Sequence, residues 1–325
     1  MSDEPSAHDP QDWPVKPTPT FTPQSPARWK AWLLTDTPVS RRQAALGLAY
    51  RRWRRFAANP LSMFGFAILL LLIVVAAIGP WIAPHDPLRQ VLADRLLPPG
   101  SPSHWFGTDE LGRDILSRLI YGSRLTLSIA ILVVVVVVPI GLMIGTTAGF
   151  FGGWVDVVLM RITDVALAFP KIVLALAFAA ALGPGVINAV IAISITAWPA
   201  YARLARAETL RLVNADFIHV ARLQGASRLR ILLRYIVPLC MSSVIVRATL
   251  DMAGIILTVA GLGFLGLGAQ PPSPEWGFMV ASGRNVLLDA WWVATLPGGA
   301  ILLVSLAFNL LGDGLRDVFD PRHGD

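Results

Sequence analysis

The sequence predicts an all-α integral membrane protein with six transmembrane helices, and three observations lead there. Of its 325 residues, 54% are hydrophobic and only 15% are charged, whereas soluble globular domains carry about a quarter charged residues. Six stretches approach the roughly 20 predominantly apolar residues that a helix needs to cross a hydrocarbon core. Lysine and arginine crowd the segments that share one side of the membrane under that layout, as cytoplasmic flanks do. The basic pI of 10.1 therefore needs no nucleic-acid partner, since the excess charge flanks apolar spans and faces lipid headgroups.

Taken in order, residues 1–58 form a cytoplasmic tail. Its first 27 residues are rich in Pro, Ser, Asp and Thr and too polar to bury a core, which predicts disorder. The first apolar run begins only after Asn59, so no cleavable signal peptide is expected. Residues 59–123 hold the first span, about 61–83, and an outer loop with an amphipathic helix. Thr108, Asp109 and Glu110 precede Leu111, Ile115, Leu116 and Leu119, and a capping Thr with acids in the first turn favours a helix start. That role is preferred to a metal set of Asp109, Glu110 and Asp114, because the neighbouring sequence supplies no further ligands; no metal or cofactor is expected.

Residues 124–313 form the transmembrane core, with spans at about 124–149, 157–182, 186–203, 239–262 and 292–312. The third carries Arg161, Asp164, Pro170 and Lys171. It reads as one span with a polar first turn, where Arg161 and Asp164 act as interfacial anchors, and a kink at Pro170. In the fifth, Arg247 and Asp251 stand four apart and share a helix side. Ionisable groups in a span are costly and often functional, so Asp251, the deeper one, is a candidate pathway-lining residue. Cys240, the single cysteine, excludes an internal disulfide and reads as a core residue. Residues 314–325 are a cytoplasmic C-terminal end.

Charge counting tests the layout. With the N-terminus inside, eighteen Lys and Arg residues fall on inner segments and six on outer ones, which supports both termini being cytoplasmic. Seven of the eighteen lie in or beside the loop 204–238. Within it, Leu229, Leu232, Leu233 and Ile236 repeat as one helix face. Phe217, Val220 and Ala221 suit a short helix ending near Gly225. The unit is helix, glycine turn, helix, followed by Pro238 in the first turn of the fifth span. On physics alone it is either a basic amphipathic helix on anionic lipid or a rigid knob offered to a groove in a partner.

This loop resembles the cytoplasmic "EAA" loop of importer-type ATP-binding-cassette permeases: E-A-A, three residues, Gly, nine residues, I-x-L-P. Ala221, Gly225 and Pro238 match. Val220 stands in the place of the first Ala, and Tyr235 and Val237 in the usual Ile and Leu places. His219 stands where Glu is usual, so docking is expected from shape and spacing. The stretches "HWFGTDELGRDILSRLIYGSRLTLSI" (104–129), "GFFGGWVDVVLMRITDVALAFP" (149–170) and "FLGLGAQPPSPEWG" (264–277) are similar to the second permease subunit of dipeptide, oligopeptide and nickel importers. The resemblance spans roughly 59–321.

It implies a type I importer permease fold in the bacterial inner membrane and half of a translocation pathway. It further implies a second homologous permease subunit, two ATPase subunits and an external substrate-binding protein as partners. Asp216, His219, Ala221, Arg222, Gly225, Ala226 and Pro238 would form the ATPase-coupling loop. Asp109, Glu110, Arg113, Asp114, Glu275 and Trp276 would form a periplasmic docking surface.

The chain is not expected to be an enzyme. No G-x-x-x-x-G-K-[ST] run occurs, so ATP hydrolysis falls to partner subunits. "GLGFLG" (261–266) meets a dinucleotide-binding pattern only literally, since it ends an apolar span and follows no strand; small residues there suit close helix approach or a turn. Peptides are the expected cargo, with nickel or another small solute as alternatives. An ion-coupled secondary transporter or a membrane scaffold without a pathway are the rivals from other classes.

Overall fold

The computed structural model describes residues 32–35 and 38–319; the disorder expected of residues 1–27 lies outside them. Among the described residues the fold is helical and has no strand, with two isolated bridges, Ser101 to His104 and Thr108 to Asp114. The chain divides into two compact units, Met1–Arg54 and Arg55–Asp325.

Helix α1, Arg41–Ala58, is one that sequence periodicity did not reveal. Its buried positions include Gln43 and Gly47, so no apolar stripe marks it. Gln43 instead receives a hydrogen bond from the Val39 N–H at 2.8 Å and gives one to the Trp32 carbonyl at 2.8 Å.

Among the described residues five helices are long and apolar enough to cross a membrane: α2 Pro60–Ile82, α3 Ile115–Phe151, α6 Val186–Leu212, α8 Arg228–Phe264 and α10 Trp292–Phe319. Asn59 starts α2 by accepting the N–H groups of Leu61 and Ser62, while Pro60 occupies the first turn, where a missing N–H costs nothing. Between α3 and α6 lie α4, Gly153–Leu167, and α5, Lys171–Leu182, which meet at 86°.

The kink expected at Pro170 is therefore a break. Proline disfavours helical geometry in the residue before it, so α4 stops at Leu167 and Pro170 caps α5. Twelve residues of α5 are only about 18 Å long, short of the roughly 30 Å hydrocarbon core.

The expected outer amphipathic helix is also corrected. Thr108 starts no helix; Asp114 does, accepting the Ser117 N–H, and α3 then runs unbroken for 37 residues. At about 1.5 Å per residue α3 exceeds the hydrocarbon thickness by roughly 25 Å, so its ends stand in the headgroup region and water.

The core forms where α3 packs on α6, with α8 and α10 closing around them. Gly141, Gly145 and Gly149 line one side of α3 at four-residue spacing. A Cβ on Gly145 would sit 2.7 Å from the Ala205 Cβ, and one on Gly149 2.8 Å from the Thr209 Cβ. Small residues at this spacing let helix backbones approach closely, which in lipid takes the place of hydrophobic drive between helices. Cys240 is buried beside Thr209, Sγ to Oγ1 3.8 Å, as its reading as a core residue anticipated. Of the "GLGFLG" glycines, Gly263 faces the Glu275 carboxylate and Gly266 turns the chain at φ 75°.

Candidate functional site

The arginine-rich loop folds as a short helix, a left-handed turn and a long helix. Helix α7, Asp216–Leu223, ends in a double hydrogen-bonded cap: Gly225 N–H donates to the Arg222 carbonyl and Ala226 N–H to the Ala221 carbonyl, both at 3.0 Å. This cap needs a left-handed residue after the helix, and Gly225 supplies it at φ 78°. Ser227 then starts α8, its hydroxyl facing the Arg230 N–H.

Ile218 and Ala221 are buried against the core, while Asp216, His219 and Arg222 are exposed. Phe217, Val220 and Leu223 are exposed with them, Leu223 at 88%. Beside them stand Leu229 and Leu233, also exposed, and the exposed Arg228, Arg230 and Arg234. The result is an apolar knob ringed by cations.

Two details differ from the sequence reading. The face predicted from Leu229, Leu232, Leu233 and Ile236 is split: Ile231, Leu232 and Ile236 are buried and the other two leucines face out. A wide i to i+5 turn over Leu232–Ile236 rotates the register, which a 3.6-residue period cannot anticipate. Pro238 stands in the first turn of the α-helical segment Val237–Phe264, as expected, but that segment continues without a break from Arg228 through the wide turn, so α8 is one helix. The wide turn lies just before Pro238, where a proline ring would crowd the carbonyl four residues back.

The other predicted surface is interior. Asp109, Arg113, Asp114, Glu275 and Trp276 are all buried, leaving Glu110 as the partly exposed member. The docking surface expected on these six residues is therefore not presented. Asp109 accepts the N–H groups of Leu111 and Arg113 and bonds Arg113 Nε at 2.7 Å, with Arg118 Nε at 3.5 Å. Two cations and two amides thus claim its carboxylate. Glu275 caps α9, Trp276–Gly283, by accepting the Gly277 and Phe278 N–H groups. Burial pushes its carboxyl above the ordinary range, and those two amides pull it part of the way back. Trp276 lies against Gly122 of α3 and donates Nε1–H to the Leu119 carbonyl at 3.1 Å.

Arg247 and Asp251 pair on α8 as expected, Nε to Oδ2 3.1 Å. Lys171 at the start of α5 and Tyr201 on α6 lie near enough to the same carboxylate to feel its charge, and the Tyr201 hydroxyl is buried without a hydrogen bond. Arg161 is exposed, and Asp164 pairs with Arg203 at 2.7 Å.

Sequence reasoning missed three further contacts. Arg206 holds Asp156 with both Nε and Nη2, at 2.5 and 2.6 Å, tying α4 to α6 fifty residues on. Ser243 of α8 donates to Glu208 of α6 at 2.9 Å. His85 and His104 converge on Asp114. Their partners lie from ten to fifty residues apart, a spacing that no helical or strand period brings together.

Residues 138–324 match the family described as "Binding-protein-dependent transport system inner membrane component", and residues 48–99 match the "N-terminal TM domain of oligopeptide transport permease C". The Di/tripeptide transport system permease protein DppC of Pseudomonas aeruginosa is 48% identical over 275 residues, covering 83% of this chain and 91% of that one. The Probable D,D-dipeptide transport system permease protein DdpC of Escherichia coli K12 is 46% identical, covering 82% and 89%. The Glutathione transport system permease protein GsiD of Escherichia coli O6:K15:H31 is 46% identical, covering 83% and 89%. Among solved structures, a chain of the inward-facing MetNI methionine ABC transporter superposes with TM-score 0.52 at 18% identity, over 63% of this chain and 98% of that one. This likeness places the helical core in the type I importer permease fold. The chain belongs to the family of inner-membrane permease components of binding-protein-dependent transport systems, and is a multi-pass protein of that membrane.

Proposed function

We propose that the chain forms half of the translocation pathway of an ATP-driven importer for short peptides. The observation that carries the coupling part is the α7 knob: its underside is locked into the core by Ile218 and Ala221, while Phe217, Val220 and Leu223 are offered outward among arginines. A rigid apolar projection with a cationic rim suits a groove on a cytoplasmic ATPase subunit. Movement of that subunit on ATP binding pushes the knob, and α8, continuous from Arg228 into the core, carries the push toward Asp251. The spans then switch as rigid bodies between two openings.

In this reading a second homologous permease subunit completes the pathway, two ATPase subunits bind inside and an external binding protein delivers the peptide. The α4–α5 pair crosses as one broken span, giving six, and both termini are cytoplasmic. Asp251, with Lys171 and Tyr201 beside it, lines the pathway. Peptide cargo is supported by the 46–48% identical relatives, which are di/tripeptide, D,D-dipeptide and glutathione transport permeases.

Purification from the native host in mild detergent, followed by reconstitution, tests the proposal. Expected is a co-purifying P-loop ATPase and peptide uptake that needs ATP and the binding protein. Uptake driven by a proton or sodium gradient through this chain alone would refute it.

A further inference from the structure

The segment between α2 and α3 brings together the imidazoles of His85 and His104 and the carboxylate of Asp114. His104 Nδ1 lies 2.9 Å from Asp114 Oδ1 and His85 Nδ1 lies 3.8 Å from the same oxygen. The three donor atoms all fall within 4.8 Å of one another. The two rings are stacked, centroids 4.7 Å apart at 29°. His85 Nδ1 is buried and has no hydrogen-bond partner.

A buried ring nitrogen without a partner is a cost that native structures normally avoid. A metal ion at this point would remove that cost, because it takes the nitrogen lone pair. We propose that His85, His104 and Asp114 bind a divalent transition ion of the Zn2+ type, with one coordination position left open.

The distances fit such an ion. Zinc bonds of about 2.0 to 2.2 Å in tetrahedral arrangement put neighbouring donors about 3.4 Å apart. The observed 2.9 and 3.8 Å to Asp114 fall on either side of this, each about half an ångström away; closure also asks the two stacked rings, now at 29°, to turn so that both lone pairs meet the ion. The hydrogen now between His104 Nδ1 and Asp114 leaves to solvent as the ion takes its place.

The surroundings supply what outer-shell groups usually supply. Asp114 Oδ2 is held by the Ser117 N–H at 2.8 Å and the Ser117 hydroxyl at 2.7 Å, leaving Oδ1 for the ion. The same Ser117 hydroxyl accepts the His85 backbone N–H at 3.0 Å. The open position faces a cavity of about 230 Å³, lined also by Asp86, Arg89, Asp94 and Ser103, with room for water or an incoming donor.

Donor chemistry selects the ion class: two imidazoles and one carboxylate suit zinc and its neighbours, whereas Mg2+ and Ca2+ favour all-oxygen shells. The ion joins three separate points, the end of α2, the loop and the first turn of α3, and so acts as a clip. The inference does not depend on what the permease carries.

The test is calorimetric titration of the untagged full chain in detergent, stripped with EDTA, using Zn2+ with Mg2+ and Ca2+ as controls. Expected is one equivalent of Zn2+, a rise in melting temperature on Zn2+ addition, and no response to the controls. His85→Ala should weaken Zn2+ binding at least tenfold and abolish the thermal shift, while the metal-free melting temperature falls at most slightly, by the lost stacking on His104. His104→Gln should do the same to binding, and if that variant fails to fold His85→Ala alone decides. No stoichiometric Zn2+ binding would overturn the proposal and leave a plain His–Asp contact. So would equal binding in the His85→Ala chain, which would place the ion away from His85.

Discussion

Gly225 holds the coupling unit in shape at φ 78°, and nothing within 4 Å of it would obstruct a side chain. Any penalty for substitution there is therefore conformational. A left-handed backbone costs an L-residue about 1–2 kcal/mol, more when the side chain is β-branched. Gly225→Val should insert normally yet lose ATP-coupled transport, with Gly225→Asn milder; unchanged substrate-stimulated ATP hydrolysis and full uptake in the Val variant would contradict this. Glu275 shows the opposite logic. Its carboxyl is raised above the ordinary value of 4.5 by burial, so between that value and its folded one the native state holds a proton that the unfolded chain has released. Stability contributed by this group is present at low pH and falls as pH rises through the folded value. Glu275→Gln removes that loss, and its melting temperature should fall less than the wild type's as pH rises above the ordinary carboxyl value of 4.5. At this scale Gly225 was legible in the sequence because a helix-ending glycine acts locally. The burial of Asp109, Arg113, Asp114 and Glu275 was not, since charge in a sequence reads as surface until its partners are known.

At the scale of elements, the contact between α3 and α6 rests on a glycine stripe. Leu in place of Gly145 would drive into Ala202, Ala205 and Arg206, and overpacking of this kind costs about 1–3 kcal/mol or more. Gly145→Leu should lower the melting temperature and the amount of protein in the membrane. Gly254→Ala, at a helical glycine with open space around it, should change neither. The Asp156–Arg206 fork fixes α4 against α6. Asp156→Arg should depress transport, and adding Arg206→Asp should recover part of it; no recovery would mean that the pair does not couple the helices. Helix positions were largely readable, because about 20 apolar residues in a row have one stable form in lipid. Helix ends were less so: α3, α6, α8 and α10 all extend beyond their apolar cores, carried by polar residues that no hydropathy window counts. The broken pair α4–α5 was foreseen as a bend, but Pro170 says where a helix stops and not how far the next one turns.

For the whole molecule, the α4–α5 pair decides sidedness. Single cysteines introduced on a Cys240→Ala background at Glu110 and Arg222 are separated by α3, the broken pair and α6. If the pair crosses, position 110 should react with an impermeant thiol reagent in intact cells and position 222 only after the membrane is opened. Equal reactivity from one side would make the pair a re-entrant loop and leave five crossings. The sequence by itself determined the membrane class, the apolar spans, the helix–glycine–helix unit and the family likeness, because hydropathy, turn chemistry and motif spacing are properties of neighbouring residues. Only the tertiary structure decided which faces of that unit stay exposed, that the outer acidic motif is interior, and that α4 and α5 meet at 86°. It also decided that His85 and His104 meet at Asp114. These depend on groups brought together across the chain, and packing chooses among arrangements that the local sequence leaves equally open.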